Sequence, residues 1–120
     1  MKLYKEEILD HYKHPKNFGD LSDKTCEASE ANASCGDMLE MYFKVEKGII
    51  KKVKFKGVGC AISTAAASML TEEIKGKKVK EVLKWKENKM EELMGEVNVG
   101  RIKCVELAFK AMKKGLEEKK

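Results

Sequence analysis

The chain has 120 residues, of which 42% are apolar, enough for one modest core and too few for two, so residues 1–120 are expected to form a single domain. Its 24 Lys, one Arg, 16 Glu and 4 Asp leave a net charge of +5 with both signs mixed along the chain. That balance leans weakly toward acidic partners, and the lack of any Arg-rich or aromatic-interleaved basic run argues against nucleic acid.

No apolar run reaches 18 residues, so no membrane span is expected. The opening Met1-Lys2-Leu3-Tyr4-Lys5-Glu6-Glu7 has no apolar core and carries acids early, unlike a secretory signal, so a cytoplasmic location is expected. Leu3, Tyr4, Ile8, Leu9 and Tyr12 recur at helical spacing and Pro15 ends that helix; residues 16–20 read as a loop. Residues 25–33 are ambiguous, with a strand of small residues as one reading. In the run from Leu39 to Val45, Leu39, Met41, Phe43 and Val45 share one face at period two. Lys47-Gly48 suits a hairpin turn, and the return strand, Ile49 to Lys56, is expected to place Ile49, Val53 and Phe55 inward and Lys52, Lys54 and Lys56 outward. A helix follows from about Ser63 to Lys75, with Gly76 suited to end it. Residues 79–84 read as a short helix, and Asn88 with Glu91 resembles a capping box for another. The last helix starts near Gly100 and carries Val105, Leu107, Ala108, Ala111, Met112 and Leu116 as a stripe. This order predicts an α+β fold with a small antiparallel sheet of about three strands and helices on one face.

Four cysteines in a chain expected in the cytoplasm point to metal or sulfur chemistry more than to disulfides. Cys35, Cys60 and Cys104 each fall at a junction between elements. Gly36 follows the first, Gly59 precedes the second, and the last two sit near predicted helix N-termini, where the dipole favours thiolate. The spacing alone leaves a ligand role and a buried structural role open, because 24 and 43 residues separate the three and no C-x-x-C knuckle exists. Asp37 reads either as a turn residue or as an oxygen ligand beside Cys35. Cys26 reads as a small strand residue, and His11 and His14 as exposed or capping.

Taken together, Asp10-His11-Tyr12 with Pro15, Asn17 and Gly19, Cys35-Gly36-Asp37, Phe55-Lys56 with Gly59-Cys60 and Thr71-Glu72, and Arg101-Ile102-Lys103-Cys104 with Leu107-Ala108 resemble the iron–sulfur cluster assembly scaffolds of the IscU and NifU N-terminal family. The resemblance covers nearly the whole chain. It implies an α+β fold and a non-enzymatic role: a cysteine desulfurase supplies persulfide sulfur, the scaffold combines it with iron into a [2Fe–2S] cluster, and the cluster passes to apo acceptor proteins. By position it implies Cys35, Asp37, Cys60 and Cys104 as ligands, for the cluster, for iron, or for Zn²⁺ in the apo site. Oligomeric state is left open between monomer and homo-oligomer.

Two departures stand out. Lys103 occupies the place where many members have His; a lysine ammonium, which has donors and no acceptor, suits a charge or supporting role beside the ligands better than a ligand role. The R-x-K-C form resembles instead the SufU branch, whose members bind zinc and accept sulfur from a desulfurase, although the insertion typical of that branch has no counterpart in the 43 residues between Cys60 and Cys104. The stretch Val97-Asn98-Val99-Gly100-Arg101 lacks both prolines of the L-P-P-V-K motif offered to a specialised Hsp70 chaperone, which argues against that partner.

Overall fold

The structure, a computed structural model, describes residues 4–32, 36–95 and 102–117. At its centre, strand β2 (Asp37–Glu46) and strand β3 (Ile49–Val58) form an antiparallel hairpin, and β1 (Cys26–Asn32) pairs antiparallel with β2, giving the order β1-β2-β3. Lys47 at φ 52° and Gly48 at φ 76° make the tight turn, with the positive φ pair that suits the twist of a two-residue hairpin. The segment left ambiguous by the sequence is β1, and Cys26 is buried on it opposite Phe43.

One inward assignment is corrected. Val53 and Phe55 are buried as alternation requires, but the register shifts from Lys44↔Lys52 to Val45↔Ile50, so Lys51 is an extra residue, a β-bulge. The bulge flips the parity of the strand before it. Ile50 is therefore fully buried, and Ile49 lies partly exposed in a bridge to Lys78.

Around the sheet lie α1 (Tyr4–Lys13), α2 (Ala61–Ile74), α3 (Val79–Leu83), α4 (Asn88–Met94) and α5 (Ile102–Glu117). Helix α5 crosses β1 and β2, while α2 packs against β3, α5 and α1. The whole expected stripe of α5 is buried. Gly115 on that helix rests against the Phe43 ring. In α2, Ala65, Ala66, Ala67, Ser68, Leu70, Thr71 and Ile74 are buried, so its small residues let it sit close to three neighbours at once. Of the α1 stripe, Ile8 packs on the core while Leu9 and Tyr12 stay exposed.

The opposite face of the sheet carries Glu40, Tyr42, Lys44, Lys52, Lys54 and Lys56, which is why the strands alternate apolar and polar. The loop at 17–19 runs beside β3: Phe55 N–H donates to Asn17 O at 2.9 Å and Gly19 N–H to Phe55 O at 2.8 Å. The capping box expected at Asn88 is not made, because Glu87 is the N-cap of α4 and no side chain caps it. Among the described residues no helix is long and apolar enough to cross a membrane.

Candidate metal centre

Asp37 opens β2 directly after Gly36, whose φ of 72° lies in the left-handed region that glycine enters freely. Met38 and Val58 are cross-strand partners, so the start of β2 and the end of β3 lie side by side. Two residues beyond Val58, Cys60 is the N-cap of α2. Cys104 sits in the first turn of α5, which packs on α2. Hydrogen-bond register and helix packing thus bring three residues far apart in sequence to one end of the sheet.

The carboxylate of Asp37 and the sulfurs of Cys60 and Cys104 all lie within 4.8 Å of one another. Asp37 and Cys104 are buried, and Cys60 is partly exposed. The Cys60 backbone N–H donates to Asp37 Oδ1 at 3.2 Å, and Cys60 Sγ lies 3.9 Å from Asp37 Oδ2. Among the described residues no other three His, Cys, Asp or Glu side chains meet in this way. Cys35 lies outside the described residues, as does the Val97–Arg101 stretch.

Burial alone would push the Cys60 thiol up, but the Ser63 backbone, the Cys104 side chain, the Ser63 hydroxyl and the Ile62 backbone outweigh it and hold the thiol below its ordinary pKa. A lowered pKa favours the thiolate, the form that binds metal and attacks sulfur. Two soft sulfurs and one hard oxygen, converging on one point, fit a cation such as Zn²⁺ or an iron of a cluster.

Gly59 is required by close approach. A Cβ there would collide with Ser63 Oγ and sit 3.2 Å from Asp37 Oδ1. The Ser63 hydroxyl itself donates to Cys60 O at 3.0 Å. Sequence reasoning missed Ser63; its only signal is a hydroxyl three residues after a cysteine that lies near a predicted helix N-terminus.

The other candidates fall elsewhere. Cys26 is not among the gathered donors. Lys103 is exposed and lines a groove of about 250 Å³ with Glu30, Asn32, Glu106 and Lys110. His14 is exposed as expected, but His11 is partly buried, with Nδ1 2.6 Å from Ser68 Oγ. That contact is one part of a polar staple on α2. Lys16 N–H donates to Ser68 Oγ at 2.8 Å, and Asn17 Nδ2 donates to Thr71 Oγ1 at 3.0 Å and Glu72 Oε2 at 2.9 Å. Asn17 and Lys75 hold the Glu72 carboxyl below its ordinary pKa. The staple fixes the helix whose N-cap is Cys60.

Comparison with known proteins decides the family. The model of the NifU-like N terminal domain matches residues 3–120. The chain belongs to this family. Within it, the chain is 35% identical over 132 aligned positions to the zinc-dependent sulfurtransferase SufU of Bacillus subtilis, covering 95% of this chain and 89% of that protein. It is 36% identical over 133 positions to the iron–sulfur cluster assembly scaffold protein IscU of Thermotoga maritima, covering 97% and 94%. A crystal structure described as a candidate iron–sulfur cluster assembly scaffold for the SUF system of Fervidobacterium islandicum superposes with a TM-score of 0.80 at 32% identity, covering 92% of this chain and 94% of that one.

The NifU-like family thus contains relatives of both kinds, scaffold and sulfurtransferase. Both alignments outrun this 120-residue chain, so both relatives carry segments that it lacks.

Proposed function

We propose that the protein is an iron–sulfur cluster assembly scaffold and not a turnover enzyme. It would accept sulfane sulfur as persulfide from a cysteine desulfurase, combine it with iron into a [2Fe–2S] cluster as an external electron donor reduces that sulfur to sulfide and frees the carrier thiolate, and release the cluster to apo acceptor proteins. The observation that carries this reading is the meeting of Asp37, Cys60 and Cys104 donors within 4.8 Å at one end of the sheet. Cys35, two residues before Asp37, completes the ligand set in this reading.

The chemistry follows from the donor types. Thiolates bind iron strongly, whereas a carboxylate is a harder and more exchangeable ligand. A scaffold needs that mixture, because its cargo must be held during assembly and given up afterwards. Any of the three cysteines could take the persulfide sulfur in this reading; of the two that the structure describes, Cys60 is the more exposed and has a lowered pKa. The chain works as one domain in the cytoplasm in this reading, and reliance on a specialised Hsp70 is not part of it.

Lys103 in the R-x-K-C form and the 35% identity to a zinc-dependent sulfurtransferase favour a second reading. There, the same four residues hold Zn²⁺ tetrahedrally and the protein relays persulfide sulfur. Anaerobic incubation of the apo protein with a cysteine desulfurase, ferrous iron, a reductant and cysteine tests the two. Visible charge-transfer absorption with equal iron and acid-labile sulfide supports the scaffold. Faster desulfurase turnover in the presence of zinc-loaded protein, with no cluster formed, supports the relay and overturns the scaffold.

A further inference from the structure

We propose that Ser63 is a positioning residue for Cys60, its hydroxyl setting the direction of the Cys60 sulfur relative to Asp37. This inference rests on the metal-site reading of Asp37, Cys60 and Cys104.

Three observations carry it. First, the Cys60 carbonyl accepts two hydrogen bonds, from Thr64 N–H at 3.1 Å, which closes the first helical turn, and from the Ser63 hydroxyl at 3.0 Å. The helix needs only the first. The second pins the peptide plane from which the Cys60 side chain leaves. Second, Ser63 is buried at 3% exposure, so water does not compete for that bond. Third, Ser63 Oγ occupies the space that a Cβ on Gly59 would need, and Asp37 Oδ1 borders the same space at 3.2 Å. The Ser63 hydroxyl and the Asp37 carboxylate therefore both border the space left by the missing Gly59 side chain, beside Cys60, whose backbone N–H donates to the same Asp37 Oδ1 at 3.2 Å.

Groups that orient metal ligands without touching the metal contribute about 10–100-fold to affinity. Ser63→Ala removes the hydroxyl and adds no volume. The probe is Co²⁺ added anaerobically to the apo protein, read by thiolate-to-cobalt charge-transfer absorption, with Zn²⁺ affinity measured against a chromophoric chelator. Ser63→Ala is expected to shift the charge-transfer band and to weaken Zn²⁺ binding about tenfold. A purely structural hydroxyl would lower the melting temperature and leave the band energy unmoved. Ser63→Thr, which keeps the hydroxyl, is expected to restore the wild-type band. An unshifted band and unchanged affinity in Ser63→Ala overturn the inference while leaving the metal site intact. If Ser63→Ala does not fold, Ser63→Gly, which also lacks the hydroxyl, decides: a shifted band supports the inference and an unshifted band overturns it. Failure of the wild-type protein to give any thiolate–cobalt band overturns the metal-site reading itself, and this inference with it.

Discussion

Gly59→Ala gives a sharp test of how tightly the site is built. The new Cβ would lie 3.2 Å from Asp37 Oδ1 and 3.3 Å from Asp37 Cγ and would collide with Ser63 Oγ. The φ of Gly59 is not in the left-handed region, so the backbone itself accepts Ala and the penalty is purely steric. Overpacking of this kind costs about 1–3 kcal/mol. Removing glycine from the unfolded chain offsets it by about 0.4–1 kcal/mol. The net is a loss of about 0–2.6 kcal/mol, or up to about 10 °C in melting temperature for a chain of this size. Relief requires Ser63 or Asp37 to move, and either displaces a ligand or its support, so Zn²⁺ affinity should fall at least about tenfold. Thermal melting of the apo protein and chelator competition measure the two effects. A variant with wild-type melting temperature and wild-type affinity would refute the claim that Ser63 and Asp37 leave no room for a side chain at Gly59.

Asp37→Ala should give a cluster that survives longer and transfers more slowly, because a hard, exchangeable ligand has been removed; faster loss to an acceptor would show that its role is the reverse. Cys26→Ser should leave cluster yield near wild type, since Cys26 is buried on β1 and is not one of the gathered donors; loss of assembly would mean that a ligand had been misassigned. The staple formed by Glu72 has a defined pH signature. Its folded pKa is below the ordinary value of 4.5, so its contribution is present above that value and is lost as pH falls through the lower folded pKa. The melting-temperature gap between wild type and Glu72→Gln should therefore hold at pH 7 and close below about pH 4.5; a gap that persists unchanged into acid would contradict the assignment.

Much of the fold is legible in the sequence because its elements follow strong periodic patterns. The alternation over Leu39–Val45 and the Lys47-Gly48 pair define the hairpin, and the stripe from Val105 to Leu116 defines α5. The errors have local causes. The bulge at Lys51 depends on how two strands twist around each other, so alternation alone chose Ile49 where the protein buries Ile50. The apparent capping box at Asn88 failed because the chain enters α4 through Glu87 in helical geometry. Cys60 and Cys104 were recognisable as junction residues, but only the sheet register and the packing of α5 on α2 bring them to Asp37. The staple was hidden for a similar reason. Ser63, Ser68 and Thr71 sit in an Ala-rich helix, and each makes a directed hydrogen bond that helical periodicity does not reveal. Hydroxyls on the buried side of an otherwise apolar helix were the signal that went unused.

The most direct test of the central claim is the iron, zinc and acid-labile sulfide content of anaerobically prepared and reconstituted protein, compared with Cys60→Ala and Cys104→Ala. The account predicts equal iron and sulfide in the wild type and no stable cluster in either variant. Wild-type cluster yield in both variants would contradict it.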